Sequence, residues 1–267
     1  MKESKRETGV SDPEVIVSMT TFPGGVEFAS KAIESILRGS VLPDRVVLYI
    51  TESEFGGTPL PEELLRLERE NAVFEIRDYP RNIRSYRKLI PALRDFPEAV
   101  IITVDDDVAY GPDMVRKLLA LHKRFPDDII AHRAKRILPL RPYRKWWKYR
   151  WYHFPGNRIY DRPDNIQTGV GGVLYPPHAL KESMLDEDLF MEEAPTADDI
   201  WFWAAAVING RKIIPVPFGD NKPKGLGKPK EQSLKSVNFK SGEDLNKRYF
   251  DEILRRFPEL KSKLKLT

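Results

Sequence analysis

The chain predicts an α/β fold: one mostly parallel sheet with helices on both faces. Three observations carry the prediction. Short apolar, β-branched runs alternate with amphipathic helical stretches from residue 15 onward. The connections between them are short, as in right-handed β–α–β crossovers. The run over residues 99–104 has five apolar positions out of six and no polar alternation, as expected for a strand covered on both faces.

Taken in order, residues 1–13 read as a flexible leader ending at Pro13. Residues 15–19 (Val-Ile-Val-Ser-Met) form the first strand and 20–25 a loop. Phe28, Ala32, Ile33, Ile36 and Leu37 recur at helical spacing over 27–38, and Gly39 ends that helix. Residues 46–50 are the second strand. Pro61 followed by Glu62 and Glu63 opens a helix over 64–70, where acids complement the helix dipole. A third strand spans 73–76, and 86–93 reads as a helix leading into the central strand. Beyond it lie a helix over 114–125 and a strand over 128–132. Residues 139–164 lose all period and are rich in Pro, Arg, Lys, Trp and Tyr, so they predict a long surface excursion. Order returns at 168–175, then comes a helical stretch containing 198–203 and a last strand over 212–216. Residues 219–230, rich in Gly, Pro and Lys, are expected to be mobile, and 243–264 predict a basic helix interrupted at Pro258. The expected organisation is a leader (1–13), one domain (14–242) and a C-terminal basic helical segment (243–267) packed on it or extending from it.

A 267-residue chain with 41% hydrophobic residues can bury a substantial core. Its net charge of +4 suits an anionic small substrate or a negatively charged membrane surface and is too weak to imply nucleic acid. Absence of cysteine excludes disulfides, thiolate metal sites and cysteine nucleophiles. No run approaches 18 apolar residues, and the charged start lacks the apolar centre of a signal peptide. A cytoplasmic location is expected, with peripheral contact at the inner face of the membrane.

The central strand runs into Asp105, Asp106 and Asp107. Ionised carboxylates resist burial. Their cost is offset at the open carboxyl edge of a sheet, where such folds bind ligands, if they hold a hard cation there. Alternation along an extended chain would put Asp105 and Asp107 on one side and Asp106 on the other. A solvated acidic turn that ends the strand is the plain alternative. A second acidic pair, Asp198 and Asp199, precedes the strongly apolar Ile200-Trp201-Phe202-Trp203. Neighbouring carboxylates at the edge of buried surface raise each other's pKa, which suits a proton acceptor; capping of a helix start is equally sensible.

The ordered set — strand 15–22 with its loop, the Asp triplet, then blocks 168–175 and 194–201 — resembles the GT-A nucleotide-sugar glycosyltransferases with their DXD signature, in particular bacterial family-2-like enzymes of surface-polysaccharide biosynthesis. The resemblance covers most of residues 14–216. It implies a GT-A, Rossmann-like single domain and a Mn2+ or Mg2+ cofactor, with Asp107 as principal metal ligand, Asp105 supporting and Asp106 among the nucleotide contacts. It also implies Asp199 as the base of an inverting reaction, although the usual Glu-Asp order is here Asp198-Asp199. Retaining relatives place an acid at the same point, so that stereochemistry stays open.

Other residues fit the same picture. The hydroxyls and ring of Thr20, Thr21 and Phe22 suit a nucleoside, and Glu52 resembles the acid that meets base or ribose. Four basic residues fall within 81–88, where a helix start disfavours cations and a diphosphate would supply counter-charge; Arg84, Ser85 and Lys88 are the expected contacts. Gly171 and Gly172 resemble the segment lining the sugar pocket, or mark a tight bend. Asp198 and Trp201 are grouped with them toward sugar and acceptor. The aromatic-basic run 143–153 suits stacking on sugar and contact with anionic glycans or lipid headgroups. The expected function is transfer of a sugar from a UDP- or GDP-sugar to a glycan or lipid-linked acceptor. A retaining enzyme on the same fold is one alternative, and a non-catalytic carbohydrate-binding protein is another.

Overall fold

A computed structural model describes residues 13–150, 153–217, 223–227, 238 and 243–264. The first four strands of the main sheet are β1 (Val15–Thr20), β2 (Arg45–Ile50), β3 (Phe74–Asp78) and β4 (Val100–Thr103). All four run parallel, with β1 between β2 and β4. The helices α1 (Val26–Leu37) and α2 (Glu62–Glu70) connect the first three strands. Alternate residues of each strand enter opposite cores. Ile16, Val47 and Ile101 pack on one face, and Val17, Leu48 and Ile102 on the other. Both faces of β1, β2 and β4 are therefore dry, which is why these three show no polar alternation, whereas the edge strand β3 alternates Phe74, Glu75, Ile76 and Arg77.

A two-residue strand, β5 (Val108–Ala109), and helix α4 (Met114–His122) follow the acidic triplet. The sheet is completed by β6 (Ile129–Ala131), then β10 (Val173–Tyr175) and β11 (Ile213–Pro215), in the order β11-β6-β10-β4-β1-β2-β3. β10 is antiparallel to both its neighbours, so the sheet is parallel at every pairing but those two. The ordered stretch expected over 168–175 contains a strand only at its end. Gly171 and Gly172 adopt φ of 129° and 94°, so the chain bends there and only 173–175 enter the ladder.

The predicted helix over 86–93 is also corrected. Residues Arg84–Lys88 form a 3-10 turn, and a separate helix, α3 (Ile90–Asp95), starts after Leu89. Pro91 explains the break: it lacks an N–H and its ring clashes with the preceding turn, so it fits only the start of a helix.

The excursion over 139–164 is partly ordered. A small antiparallel sheet forms from β7 (Ala134–Arg136), β8 (Trp147–Lys148) and β9 (Asn165–Gln167), with β7 in the centre. Trp146 is anchored in the core against Phe250 of helix α7 (Leu245–Arg256), with ring centroids 4.8 Å apart. After the short helix α5 (Glu187–Glu193), α6 (Asp198–Ile208) is buried nearly all round. Helix α7 and the following α8 (Glu259–Lys263) pack on α6: Trp203 meets Phe250 at 5.6 Å and Trp201 meets Phe257 at 6.0 Å. Within 219–230 only 223–227 are described, including β12 (Lys224–Gly225), which pairs with β5. The leader expected over 1–13 lies outside the described residues except for Pro13. Among the described residues no helix is long and apolar enough to cross a membrane.

Candidate active site

β1 lies where the sheet changes direction: β2 and β3 build out on one side, β4 on the other. At such a switch point the carboxyl ends of adjacent strands part and leave a crevice. The loop after β1 and the acids after β4 meet there. The Thr21 hydroxyl donates to Asp106 Oδ2 at 2.6 Å, and both residues are buried. Asp106 and Asp107 form a turn rather than extended chain, so simple alternation does not direct the triplet. Instead each acid is placed by its own contacts. The backbone N–H of Asp105 donates to the Tyr110 hydroxyl at 2.8 Å, and the Asp107 carbonyl accepts from Leu226 N–H at 2.9 Å.

The second acidic pair occupies the first turn of α6. Lys88 joins it to the first. Its ammonium is 3.2 Å from Asp105 Oδ1 and 3.1 Å from Asp198 Oδ2, and the residue is buried. Ser85 donates to the other oxygen of Asp198 at 2.8 Å. The 3-10 turn makes this pairing, because residues three apart eclipse one another in that geometry. Burial works against the Lys88 charge, but Asp105, Asp198 and Asp199 outweigh it and hold the ammonium's pKa well above the lysine value.

Asp199 sits beside this ion triad. Both its oxygens accept from the Gly169 N–H, at 3.0 and 3.1 Å, and its carbonyl accepts from the Gln167 side chain at 3.0 Å. Burial, then the charge of Asp198, push its carboxyl up to about 7, against the opposing pull of Lys88 and of the Gly169 N–H. A group at that value can accept a proton near neutrality.

Gly169 is the point of convergence. A β-carbon there would lie 2.7 Å from Lys88 Nζ, 3.2 Å from Asp199 Oδ1 and 3.5 Å from Asp105 Oδ1. Because the ammonium is pinned between two carboxylates, it has little freedom to retreat. Gly169→Ala is therefore expected to cost about 1–3 kcal/mol, as overpacking does. A midpoint lowered by roughly 2–12 °C in a thermal melt is the expected reading.

The structure leaves other expected site residues in varied positions. Thr20 is engaged with protein: its hydroxyl donates to the Tyr49 carbonyl at 2.9 Å and accepts from Arg87 Nε at 2.7 Å. Phe22 closes the turn after β1, its carbonyl accepting from the N–H groups of Gly25 and Val26. Glu52 is exposed in the 3-10 turn after β2, its N–H bonded to Asp78 at 2.9 Å. Arg84 is exposed, in a left-handed conformation at φ 53°, a strain of the kind that collects at functional sites. It has no acidic partner among the described residues, whereas Arg81 pairs with Asp188, Arg87 with Glu54 and Lys88 with Asp105. Gly171 and Gly172 line the bend itself: added β-carbons would meet Arg133 Cγ at 3.0 Å and the Met114 sulfur at 2.9 Å. Trp201 is a correction. It is 0% exposed and its indole N–H donates to the Met184 carbonyl at 2.8 Å, so it belongs to the core and cannot touch sugar.

Two positioning residues went unselected in the sequence. Arg87, 2% exposed, reaches Thr20, Thr51, Glu54 and the Thr21 carbonyl and so fixes the loop after β1. Tyr110 anchors Asp105. Arg87 sits in the basic run that the sequence did flag, but its pairing with Glu54 across 33 positions leaves no local signal.

Among the described residues no group of three or more His, Cys, Asp or Glu is arranged to enclose a metal. The donor set nevertheless suits a hard divalent cation. Asp105 and Asp198 share one ammonium, the Asp199 carboxylate lies beside the same Gly169 position, and Asp106 and Asp107 follow Asp105 in the chain. Mg2+-like ions are characteristically held by one or two carboxylates and completed by substrate phosphates, not by a full protein cage.

No family model matches the chain, and no curated protein does. Among solved structures, the crystal structure of GalNAc-T7 with UDP, GalNAc and Mn2+ is similar, with a TM-score of 0.60 at 10% sequence identity. The alignment covers 93% of this chain and 50% of that one, so this chain spans half the length of its structural relative. At that identity the likeness is one of fold. The chain has the GT-A, Rossmann-like architecture.

Proposed function

We propose that this protein is a metal-dependent glycosyltransferase that moves a sugar from a nucleoside-diphosphate sugar to an acceptor hydroxyl. One observation carries the reading: two acidic groups 93 positions apart, at Asp105 and Asp198, meet on one ammonium at the switch point of the sheet. A purely structural role would not gather so much like charge at an open edge. The GT-A architecture supports the same reading, since the similar structure contains UDP, GalNAc and Mn2+.

Asp107 and Asp105 would hold Mn2+ or Mg2+. When bound, such an ion neutralises the charge that develops on a departing diphosphate. The chain's own residues supply the rest. Arg84, the cation of its run with no acidic partner among the described residues, is assigned to the diphosphate. Thr20 and Thr21 are engaged by Arg87 and Asp106, so they shape the nucleoside loop, while Phe22 and Glu52 are assigned to base and ribose. Lys88 and Ser85 hold Asp198 in place. Asp199 then takes the proton of the attacking hydroxyl, which directs the reaction to inversion. A glycan or lipid-linked acceptor of surface-polysaccharide type fits this assignment.

The test is a thermal-shift panel of UDP- and GDP-sugars with and without Mn2+. A ligand at 100 times its Kd stabilises the native state by about 2.7 kcal/mol. A clear rise that needs Mn2+ in the wild type and is absent in Asp107→Ala is the expected result. No nucleotide stabilising the protein under any metal condition would refute the proposal.

A further inference from the structure

We propose that the acceptor is anionic, and that its phosphate or carboxylate is received by Arg133, Lys135 and Lys148 beside Asp199. This rests on the glycosyltransferase reading and names the substrate class for its acceptor side.

Strand β9 leads through Thr168 to Gly169, whose N–H holds Asp199, and β9 pairs with β7. The Thr168 N–H in turn donates to the Arg133 carbonyl at 2.9 Å, which ties the segment before β7 to the same loop. β7 pairs on its other side with β8. There, Lys135 and Lys148 stand directly opposite each other across the two strands. Like charges so placed repel and destabilise a ladder.

Lys135 is the more telling member. It is 8% exposed, and no carboxylate among the described residues lies within ion-pair distance. Its ammonium rests over the Tyr143 ring, 3.4 Å from the centroid. A ring face offsets part of a buried charge but does not replace an anion. Lys135 lies within electrostatic reach of Lys148, Asp199, Asp244 and Arg133. Asp244 is occupied elsewhere, accepting from the N–H groups of Tyr143 and Lys247 at the start of α7. Burial, then Lys148, lower the Lys135 pKa to about 8, the direction expected of a cation short of counter-charge. Arg133 and Lys148 are exposed and without acidic partners among the described residues.

Three cations grouped at Lys135, which itself feels the Asp199 charge, fit an acceptor whose reacting sugar carries, or adjoins, an anionic group. A uronate would supply a carboxylate and a lipid-linked sugar would supply phosphate.

The experiment titrates methyl glucuronide, glucose 1-phosphate and methyl glucoside into the full chain held with UDP and Mn2+, following tryptophan fluorescence. At least one anionic probe is expected to bind about tenfold tighter than the neutral one, equivalent to about 1.4 kcal/mol. Which anion is preferred separates the two sources. K148Q, at an exposed position, is expected to weaken that probe about threefold or more and leave methyl glucoside unchanged; K135Q is expected to remove the preference. Equal binding of all three probes, or an anion preference that survives K148Q and K135Q in protein shown folded by circular dichroism, overturns the proposal. Titrating UDP with Mn2+ into the same preparations reads the donor site independently. Its absence would end the glycosyltransferase reading, whereas UDP binding without anion preference would end this inference alone.

Discussion

Asp199→Asn is expected to lower kcat by about 10²- to 10⁴-fold, the usual contribution of a positioned general base, while UDP and Mn2+ still bind. Asparagine retains the shape and can still accept the Gly169 N–H, but it cannot take a proton from a hydroxyl. The pH dependence carries a second, opposite signature. The folded carboxyl is raised to about 7, above an unfolded value of about 3.9. The folded state therefore binds the extra proton, and that stabilisation is complete below the unfolded value and lost as pH rises through about 7. Wild-type turnover should rise with pH through the same region, because the base works only when deprotonated. The asparagine variant should lack that limb and should gain in thermal midpoint relative to wild type between pH 5 and pH 8. Full turnover in the variant would remove Asp199 from the chemistry. A variant whose relative midpoint fell with rising pH would show that the carboxylate is not the strained charge described here.

Lys88→Met is expected to be the most destabilising single change in the site. The ammonium neutralises Asp105 and Asp198 together, and Asp198 is only 6% exposed. Removing one member of a buried ion group leaves the others uncompensated, at a cost of about 3–5 kcal/mol. For a chain of this size that is roughly 6–20 °C in thermal midpoint. Adding Asp198→Asn should recover a substantial part of the loss, since the unpaired buried charge goes with it, and a double-mutant cycle measures the coupling. Arginine is not expected to rescue: the space beside Lys88 Nζ is already closed by the Gly169 backbone, where even a β-carbon would come within 2.7 Å. A midpoint change under about 2 °C for Lys88→Met would show that the two carboxylates do not depend on this ammonium.

Much of this architecture was legible in the chain. The runs at 15–19, 46–50 and 99–104 identified strands because burial on both faces demands continuous apolar residues, and that demand is visible locally. The acids after the central strand were legible for a related reason: charge directly after a buried strand must lie at an edge. The antiparallel insertion of β10 was not legible, since three residues, Val173–Tyr175, carry no mark of direction. Trp201 was misread because an aromatic beside an acidic pair looks alike in a core and in a sugar site; only its burial and its bond to Met184 separate them. The aromatic-basic run divided likewise, with Trp146 sinking into the core against Phe250 and Trp147 remaining half outside.

By itself the amino-acid order determined an α/β sheet with two acidic stations and a basic run near its open edge, because hydrophobic patterning is a short-range signal. Only the tertiary structure decided that Lys88 would bind both stations, that Arg87 would turn inward to Glu54 and the threonines, and that Arg84 would remain outside. Partners brought together from distant positions are selected by packing and charge in the folded state, and nothing within a few residues of either records the choice.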